Sequence, residues 1–176
     1  MNTFMNRMIR AAKLDAHLYE EVEADKSTMR QAMGVVVLSS LAAGVGSIST
    51  MGLGGILLGT LAALGGWYIW AYLTYFIGTK FLAEPQTEAD LGQLLRTTGF
   101  SSAPGLIRVL AIIPALGTVV FIAASVWMLV AMVIAVRQAL DYTATWRAVA
   151  VCAIGWIIQT VILALLFSLL GGPPSL

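Results

Sequence analysis

The chain has 176 residues, of which 59% are hydrophobic and 11% are charged, and its formal net charge is +1. Soluble domains carry about 25% charged residues, so this composition excludes an ordinary soluble domain. Asp, Glu, Lys and Arg do not occur in 31–79, 109–136 or 148–176. Uncharged apolar runs of this length are typical of membrane helices, and the near-neutral charge without a basic stripe argues against a nucleic-acid partner.

Residues 1–30 hold ten of the charges and have no apolar core of the secretory type, so we expect a cytoplasmic segment rather than a cleaved signal. Within it, 3–25 has apolar residues at helical spacing, which predicts one amphipathic helix. Such a helix lies on the membrane, docks a partner, or covers the protein's own loops. The stripe consists of Phe4, Met8, Ala11, Leu14, Leu18 and Val22.

The first half of this helix is the candidate for lipid contact, since the acidic second half would be repelled by anionic lipid. The candidate contact residues of the whole helix are Arg7, Arg10, Lys13, His17, Glu20 and Glu21. A metal site would have to use the last three of these. They lack the second histidine or the repeated Glu-x-x-His motif of convincing sites, so we expect no metal.

The run 31–79 is too long for one crossing, because as a single helix it would reach about 73 Å. The glycines and hydroxyl residues of 47–55 are typical of a loop, which divides the run into spans 31–49 and 56–79. Span two carries small residues at four-residue spacing, a pattern that favours close helix packing within the bundle or, as the alternative, a dimer interface. These residues are Gly55, Gly59, Ala63 and Gly66.

The segment 80–102 is predicted to be cytoplasmic and to contain a short interfacial helix over 88–98. Thr87 and Asp90 have the spacing of a capping box before this helix. Arg96 is a further candidate contact residue on it.

Residues 103–138 again exceed one crossing, and Pro114 is the credible break. The predicted spans are a short one over 103–116 and a second over 117–138. The short span either crosses or dips in and returns. Arg108 lies close to its start, so we expect the guanidinium to snorkel to the cytoplasmic interface. The alternatives are a contact with another helix end and a role in transport or binding.

The last span is predicted over 148–170, which closes a transmembrane domain of 31–171 and leaves a short tail at 172–176. Gln159 is a polar residue inside this span and is expected to hydrogen-bond a neighbouring helix. Cys152 is expected to be a small packing residue.

Five spans place every Lys and Arg on or near one face, as cytoplasmic loops require. The predicted fold is therefore an all-α, polytopic five-helix bundle. Its amino terminus is expected in the cytoplasm and its carboxyl terminus outside, in a bacterial inner membrane. We predict no enzyme, no catalytic residue and no cofactor, because a Ser/His/Asp set and a phosphate-binding glycine loop are both missing from the sequence.

Three stretches resemble prokaryotic members of the Yip1 domain family. They are residues 14–25, residues 100–108 with the Ile-Pro-Ala-Leu-Gly sequel, and residues 126–140. The resemblance implies five membrane helices, a cytoplasmic amino terminus and no enzymatic activity. It also implies traffic functions and Rab binding in eukaryotic members, but their Asp-Leu-x-Gly-Pro tail motif has no match here, so Rab binding is not expected.

We therefore expect a non-enzymatic protein that organises the membrane or its partners through the amino-terminal helix and the 80–102 loop. Its expected partners are the lipid bilayer and either another protein or a second copy. A channel or transporter subunit is the alternative, with Gln159, Arg108 and the hydroxyls of Ser39, Ser40 and Ser47 along a path. An accessory subunit of a larger membrane complex is a third possibility.

Overall fold

The computed structural model describes residues 3–113 and 115–169, and the regular structure within them is helical. The predicted tail at 172–176 and the predicted break at Pro114 lie outside the described residues. Two 3-10 helices occur at Lys26–Thr28 and Ala103–Ile112. The α-helices are α1 (Thr3–Ala12), α2 (Ala16–Ala24), α3 (Met29–Gly46), α4 (Ile48–Lys80), α5 (Leu91–Phe100), α6 (Gly117–Ala139) and α7 (Thr145–Leu169).

Four helices in the described part are long and apolar enough to cross a membrane. Their surfaces carry large apolar side chains that face outward, such as Leu53 at 74% exposure, which suits contact with lipid. The chain is therefore an all-helical, multi-pass membrane protein. The four candidate spans are Lys26–Gly46, Gly52–Lys80, Gly117–Ala139 and Thr145–Ile162.

The amino-terminal segment forms two helices instead of the single helix expected over 3–25. Leu14 adopts a left-handed φ of 62°, which ends the α1 region. Asp15 then starts α2, because its side chain accepts a hydrogen bond from the backbone N–H of His17 at 3.1 Å. The change of direction lets both helices pack on the bundle, with Tyr19 and Val22 fully buried.

The break between the first two spans falls within the predicted 47–55, because the candidate spans end at Gly46 and begin at Gly52, but it is mostly helical rather than a loop. Ser47 alone separates α3 from α4. A kink at Gly52, whose φ of 63° favours glycine, separates the first four residues of α4 from the rest of the helix. The membrane-crossing part of α4 thus begins at Gly52, and the hydroxyl residues around it lie in helix.

The third predicted span, over 103–116, is instead the 3-10 helix Ala103–Ile112, and it is not one of the four candidate spans. It continues from α5, which begins at Leu91 rather than at 88. Asp90 caps α5 in a capping box with Gln93, so the expected box on Thr87 is not the one formed. Residues Leu94–Ser101 are buried, so α5 is an internal helix rather than an interfacial one.

Close contacts place α5 and the 3-10 helix along the full length of α3. Gly99 lies on Ala32 near the start of α3, Gly105 lies on Ser39, and Gly46 at the end of α3 abuts the carbonyl oxygen of Arg108. A side chain larger than hydrogen at any of these glycines would collide with its neighbour. We call this contact line the glycine seam (Gly46, Gly99, Gly105), and it sets the depth of the third segment in the bundle.

Candidate functional site

Charged residues gather at the end of the bundle where α3 begins. We call this region the charged cap and define it as α1, α2 and the loops 81–90 and 140–144. Arg7 binds Glu21 at 2.8 Å and Asp25 at 3.2 Å. The guanidinium also donates to Gln31 Oε1 at 3.1 Å, which joins α1 to the first turns of α3. The cap is thus fixed to the membrane helices.

Arg10 is the second internal arginine of the cap. Its Nε donates to Asp15 at 2.8 Å and its Nη1 to Glu21 at 2.5 Å. These hydrogen bonds from Arg10 hold the pKa values of the Asp15 and Glu21 carboxyls below their ordinary range. Both arginines are therefore neutralised within the cap and leave little positive charge for lipid headgroups.

Arg96 is buried, at 4% exposure, and does not form part of an accessible surface. Its Nε donates to the carbonyl oxygen of Val22 at 3.0 Å, and its Nη2 donates to that of Glu23. These carbonyls lie in the last turn of α2, where a helix end attracts a cation. Arg96 is thus a structural link between α5 and α2, which corrects its expected role as a contact residue.

Glu84 fastens the loop 81–90 to the turn between α6 and α7. Its Oε2 accepts the backbone N–H of Thr143 at 3.0 Å and the Thr143 hydroxyl at 2.8 Å, and its Oε1 lies 3.2 Å from Arg147 Nε. The backbone hydrogen bond from Thr143 lowers the pKa of Glu84 despite some desolvation. Gln138 Nε2 donates to Glu20 at 2.8 Å and ties α6 to α2 in the same way.

Three of the candidate residues on the cap face outward. Lys13, His17 and Glu20 are exposed, and the imidazole Nδ1 of His17 lies 3.4 Å from Glu20. The predicted contact residues therefore divide into an internal set and an exposed set. The internal set is Arg7, Arg10, Glu21 and Arg96. Among the residues that the structure describes, no group of three His, Cys, Asp or Glu side chains is arranged to hold a metal.

A cavity of about 500 Å³ lies between α3, α4, the 3-10 helix, α6 and α7. The five residues predicted to lie along a transport path all line it. They are Ser39, Ser40, Ser47, Arg108 and Gln159. Of the described residues around the cavity, Arg108 is the one that carries a charge.

Arg108 lies at the opposite end from the one expected. Its carbonyl oxygen meets Gly46 at the end of α3, away from the charged cap. Its Nη2 donates to Ser125 Oγ at 3.4 Å, and its guanidinium lies 5.7 Å from the centre of the Phe121 ring. Its Nε is buried without a hydrogen-bond partner in the described part of the chain. The guanidinium therefore cannot snorkel to the cap side.

The small residues of α4 also face this cavity rather than a neighbouring helix. Gly55, Gly59, Ala63 and Gly66 line it. A Cβ added at Gly59 or Gly66 would have no atom within 4 Å in the described structure. Close helix contact occurs instead at the glycine seam.

Phe121 and Ser125, which hold Arg108, were also missed from the sequence. The predicted break at Pro114 is a usable signal, because a hairpin there would bring residue 108 opposite the first three turns of the predicted helix that follows. The register of that hairpin could have identified both partners.

The model of the Yip1 domain family matches residues 18–167, which is most of the chain and extends from within α2 to near the end of α7. No curated protein and no solved structure matches the chain.

Proposed function

Because the chain belongs to the Yip1 domain family, we propose that it is a non-enzymatic membrane protein that organises protein partners through its charged cap. The observation that carries this proposal is the internal pairing of Arg7 and Arg10. These ion pairs hold α1 and α2 in place before any partner arrives, and a preorganised surface binds at a lower entropic cost. The pairing also favours a protein partner over anionic lipid.

The surface proposed for the partner consists of Lys13, His17 and Glu20 with the outer part of the loop 81–90. Phe81 supports it, because this residue is 71% exposed and directly follows Lys80 in the chain. Aromatic side chains with a charged rim are common at protein interfaces. The buried α5 contributes by holding α2 in position, through Arg96 and through the hydrogen bond from Gln93 to Glu23.

The test is charge reversal on the exposed set. Lys13→Glu combined with His17→Glu should abolish crosslinking to specific partners in membranes while leaving insertion unchanged. Arg30→Glu changes an exposed charge on α3, outside the proposed surface, and serves as the matched control. This variant should crosslink to the same partners as the wild type. The proposal is wrong if the double variant crosslinks to the same proteins as the wild type, or if the wild type crosslinks to lipid alone. Crosslinks to a second copy alone would make the cap a self-association surface and would also overturn it.

We also propose that the chain crosses the membrane five times, with the cap in the cytoplasm of a bacterium. The glycine seam supports the third crossing, since the segment from Gly99 to Arg108 runs beside α3 from its start to its end. The Lys and Arg residues other than Arg108 belong to the cap, to the helix ends next to it or, for Arg96, to α5, which is hydrogen-bonded to α2. This distribution favours the cytoplasmic side.

A transport subunit is the second candidate function. The convergence of Ser39, Ser40, Ser47, Arg108 and Gln159 on one cavity favours it. Solute flux in proteoliposomes should then fall in Arg108→Ala and in Gln159→Leu. Flux that is absent, or unchanged in both variants, would remove this candidate.

A further inference from the structure

The cavity between the membrane helices combines a charged end with extensive apolar walls. Arg108 supplies the charge, and Ser39, Ser40 and Ser102 also line the cavity. Trp67, Trp70 and Trp156 form much of the apolar wall. An anion would stabilise a guanidinium in such surroundings, because partial desolvation of a cation without a counter-charge is costly.

No carboxylate among the described lining residues supplies that counter-charge. The Ser125 hydroxyl and the Phe121 ring, both neutral, are the partners that Arg108 has, and its Nε remains unpaired in the described part of the chain. Arginine is suited to oxyanions because its planar group can donate two parallel hydrogen bonds to a phosphate.

The cavity adjoins a second, larger space of about 790 Å³ between α6 and α7. Trp70 and Trp156 line both spaces, and Ser125, which accepts from Arg108, lines the second. The remaining lining of the second space is mostly aliphatic, with Leu129, Val133 and Val149 among its residues. A ligand that fits both spaces has an anionic head and a hydrocarbon tail.

The depth of Arg108 agrees with such a ligand. The residue lies level with the end of α3 and the first turns of α6, where the bundle ends on the side away from the cap. Phospholipid phosphates lie at that level of a bilayer, just outside the hydrocarbon core. The exposed apolar side chains around the bundle place these spaces beside lipid.

We propose that this chain holds one anionic phospholipid, with the phosphate on the Arg108 guanidinium and an acyl chain in the space between α6 and α7. Gly59 forms part of the cavity wall, where the absence of a side chain leaves room for the lipid. The inference goes beyond the function proposed for the charged cap and concerns the opposite end of the molecule, so either can fail without the other.

Native mass spectrometry of the purified full-length chain tests the inference, since it reports bound lipid and oligomeric state together. The chain is exposed to equal amounts of phosphatidylglycerol and phosphatidylcholine. The wild type should retain one phosphatidylglycerol molecule in preference to phosphatidylcholine. Arg108→Gln should weaken that retention about tenfold, the effect expected for the loss of a charge-assisted hydrogen bond. Arg30→Gln removes the same charge from an exposed position and should retain the lipid.

A second pair of variants tests the cavity itself. Gly59→Leu fills the cavity and should lose the lipid, whereas Gly65→Leu adds the same side chain to α4 outside the cavity and should retain it. Neither added side chain meets an atom within 4 Å at Cβ, so both variants are expected to fold.

Four results would overturn the inference. The first two are equal retention of both lipids by the wild type and undiminished retention of phosphatidylglycerol by Arg108→Gln. The third is displacement of the lipid by excess inorganic phosphate, and the fourth is a change of oligomeric state in Gly59→Leu with lipid still bound. The third result would indicate a soluble anion as the ligand. The fourth would indicate that the small residues of α4 face a second copy.

Discussion

Glu21 and Glu23 lie two positions apart on α2, yet their surroundings move their pKa values in opposite directions. Hydrogen bonds from Arg10 and Arg7 lower the pKa of Glu21. Burial raises the pKa of Glu23 to about 7, and the nearby Asp141 carboxylate adds to the effect while Arg96 opposes it. One face of the helix is thus stabilised by ionisation, and the other is destabilised by it.

The two shifts give the cap an optimum of stability in pH. The lowered pKa values of Asp15 and Glu21 provide stability that is present above their unfolded pKa values, 3.8 and 4.5, and is lost as the pH falls through their folded values. Glu23 acts in the opposite sense. Glu23 does not lower the stability of the fold below its unfolded pKa of 4.5. As the pH rises from 4.5 to about 7, its ionisation lowers the stability progressively. The cap should therefore lose stability on both sides of a mildly acidic optimum.

Glu23→Gln should raise the thermal midpoint at pH 8 and leave it nearly unchanged at pH 4.5. Its side chain accepts from Gln93 at 3.1 Å, a contact that an amide oxygen preserves. The gain at pH 8 should be on the order of 2 kcal/mol, after allowance for partial exposure of the carboxylate. Thermal unfolding in detergent at both pH values measures it. The matched control is Glu88→Gln at an exposed position. A gain that is equal at the two pH values would refute the assignment.

At the scale of elements, the glycine seam decides how α5 and the 3-10 helix pack on α3. Backbone-to-backbone approach at Gly46 leaves no space for a methyl group, because the obstacle is the carbonyl oxygen of Arg108 and not a flexible side chain. Ser39 is buried at the middle contact and Ala32 at the first. Small residues on both sides therefore bring the two elements close together.

Gly46→Ala should destabilise the protein by about 1–3 kcal/mol, the usual cost of overpacking a well-packed contact. It should also shift Arg108, so lipid retention should fall together with the melting temperature. Gly65→Ala is the matched control, since its Cβ meets open space and alanine is the better helix former. Differential scanning fluorimetry in detergent would compare the two variants, and equal stability of both would contradict the seam.

The sequence was sufficient for the helical membrane class, because its uncharged runs and the family resemblance agree with the structure. The depth of Arg108 was not predictable by counting from residue 103. The third segment already starts to run beside α3 at Gly99, and a 3-10 helix advances about 2.0 Å per residue against 1.5 Å in an α-helix. The burial of Arg96 was also not predictable from local sequence, since its charge is satisfied by carbonyls of α2 that lie 73 residues or more away in the chain.

At the scale of the whole molecule, five crossings and four crossings place the start of α6 on opposite sides of the membrane. Thr118 is exposed there, and Lys26 is exposed on the cap. If the third segment crosses, these two positions lie on different sides. If it does not cross, they lie on the same side.

Single cysteines at these positions, in a Cys152→Ala background, should distinguish the two topologies. We expect Thr118→Cys to react with a membrane-impermeant maleimide in right-side-out vesicles, and Lys26→Cys to react only after permeabilisation. Reaction of both cysteines before permeabilisation, or of neither, would exclude five crossings. The reverse pattern would place the cap outside the cell.

The ten residues of the 3-10 helix Ala103–Ile112 extend only about 20 Å, whereas the hydrocarbon core of a typical bilayer is about 30 Å thick. The long helices α4 and α6 can tilt to match a thin bilayer, but a short segment pinned at Gly46 cannot stretch to match a thick one. Residues 99–102 add about 6 Å to the segment that runs beside α3, so if this segment crosses the membrane, the bilayer has to thin by a few Å around it. Hydrophobic mismatch of this kind would favour residence in thin or locally deformed membranes.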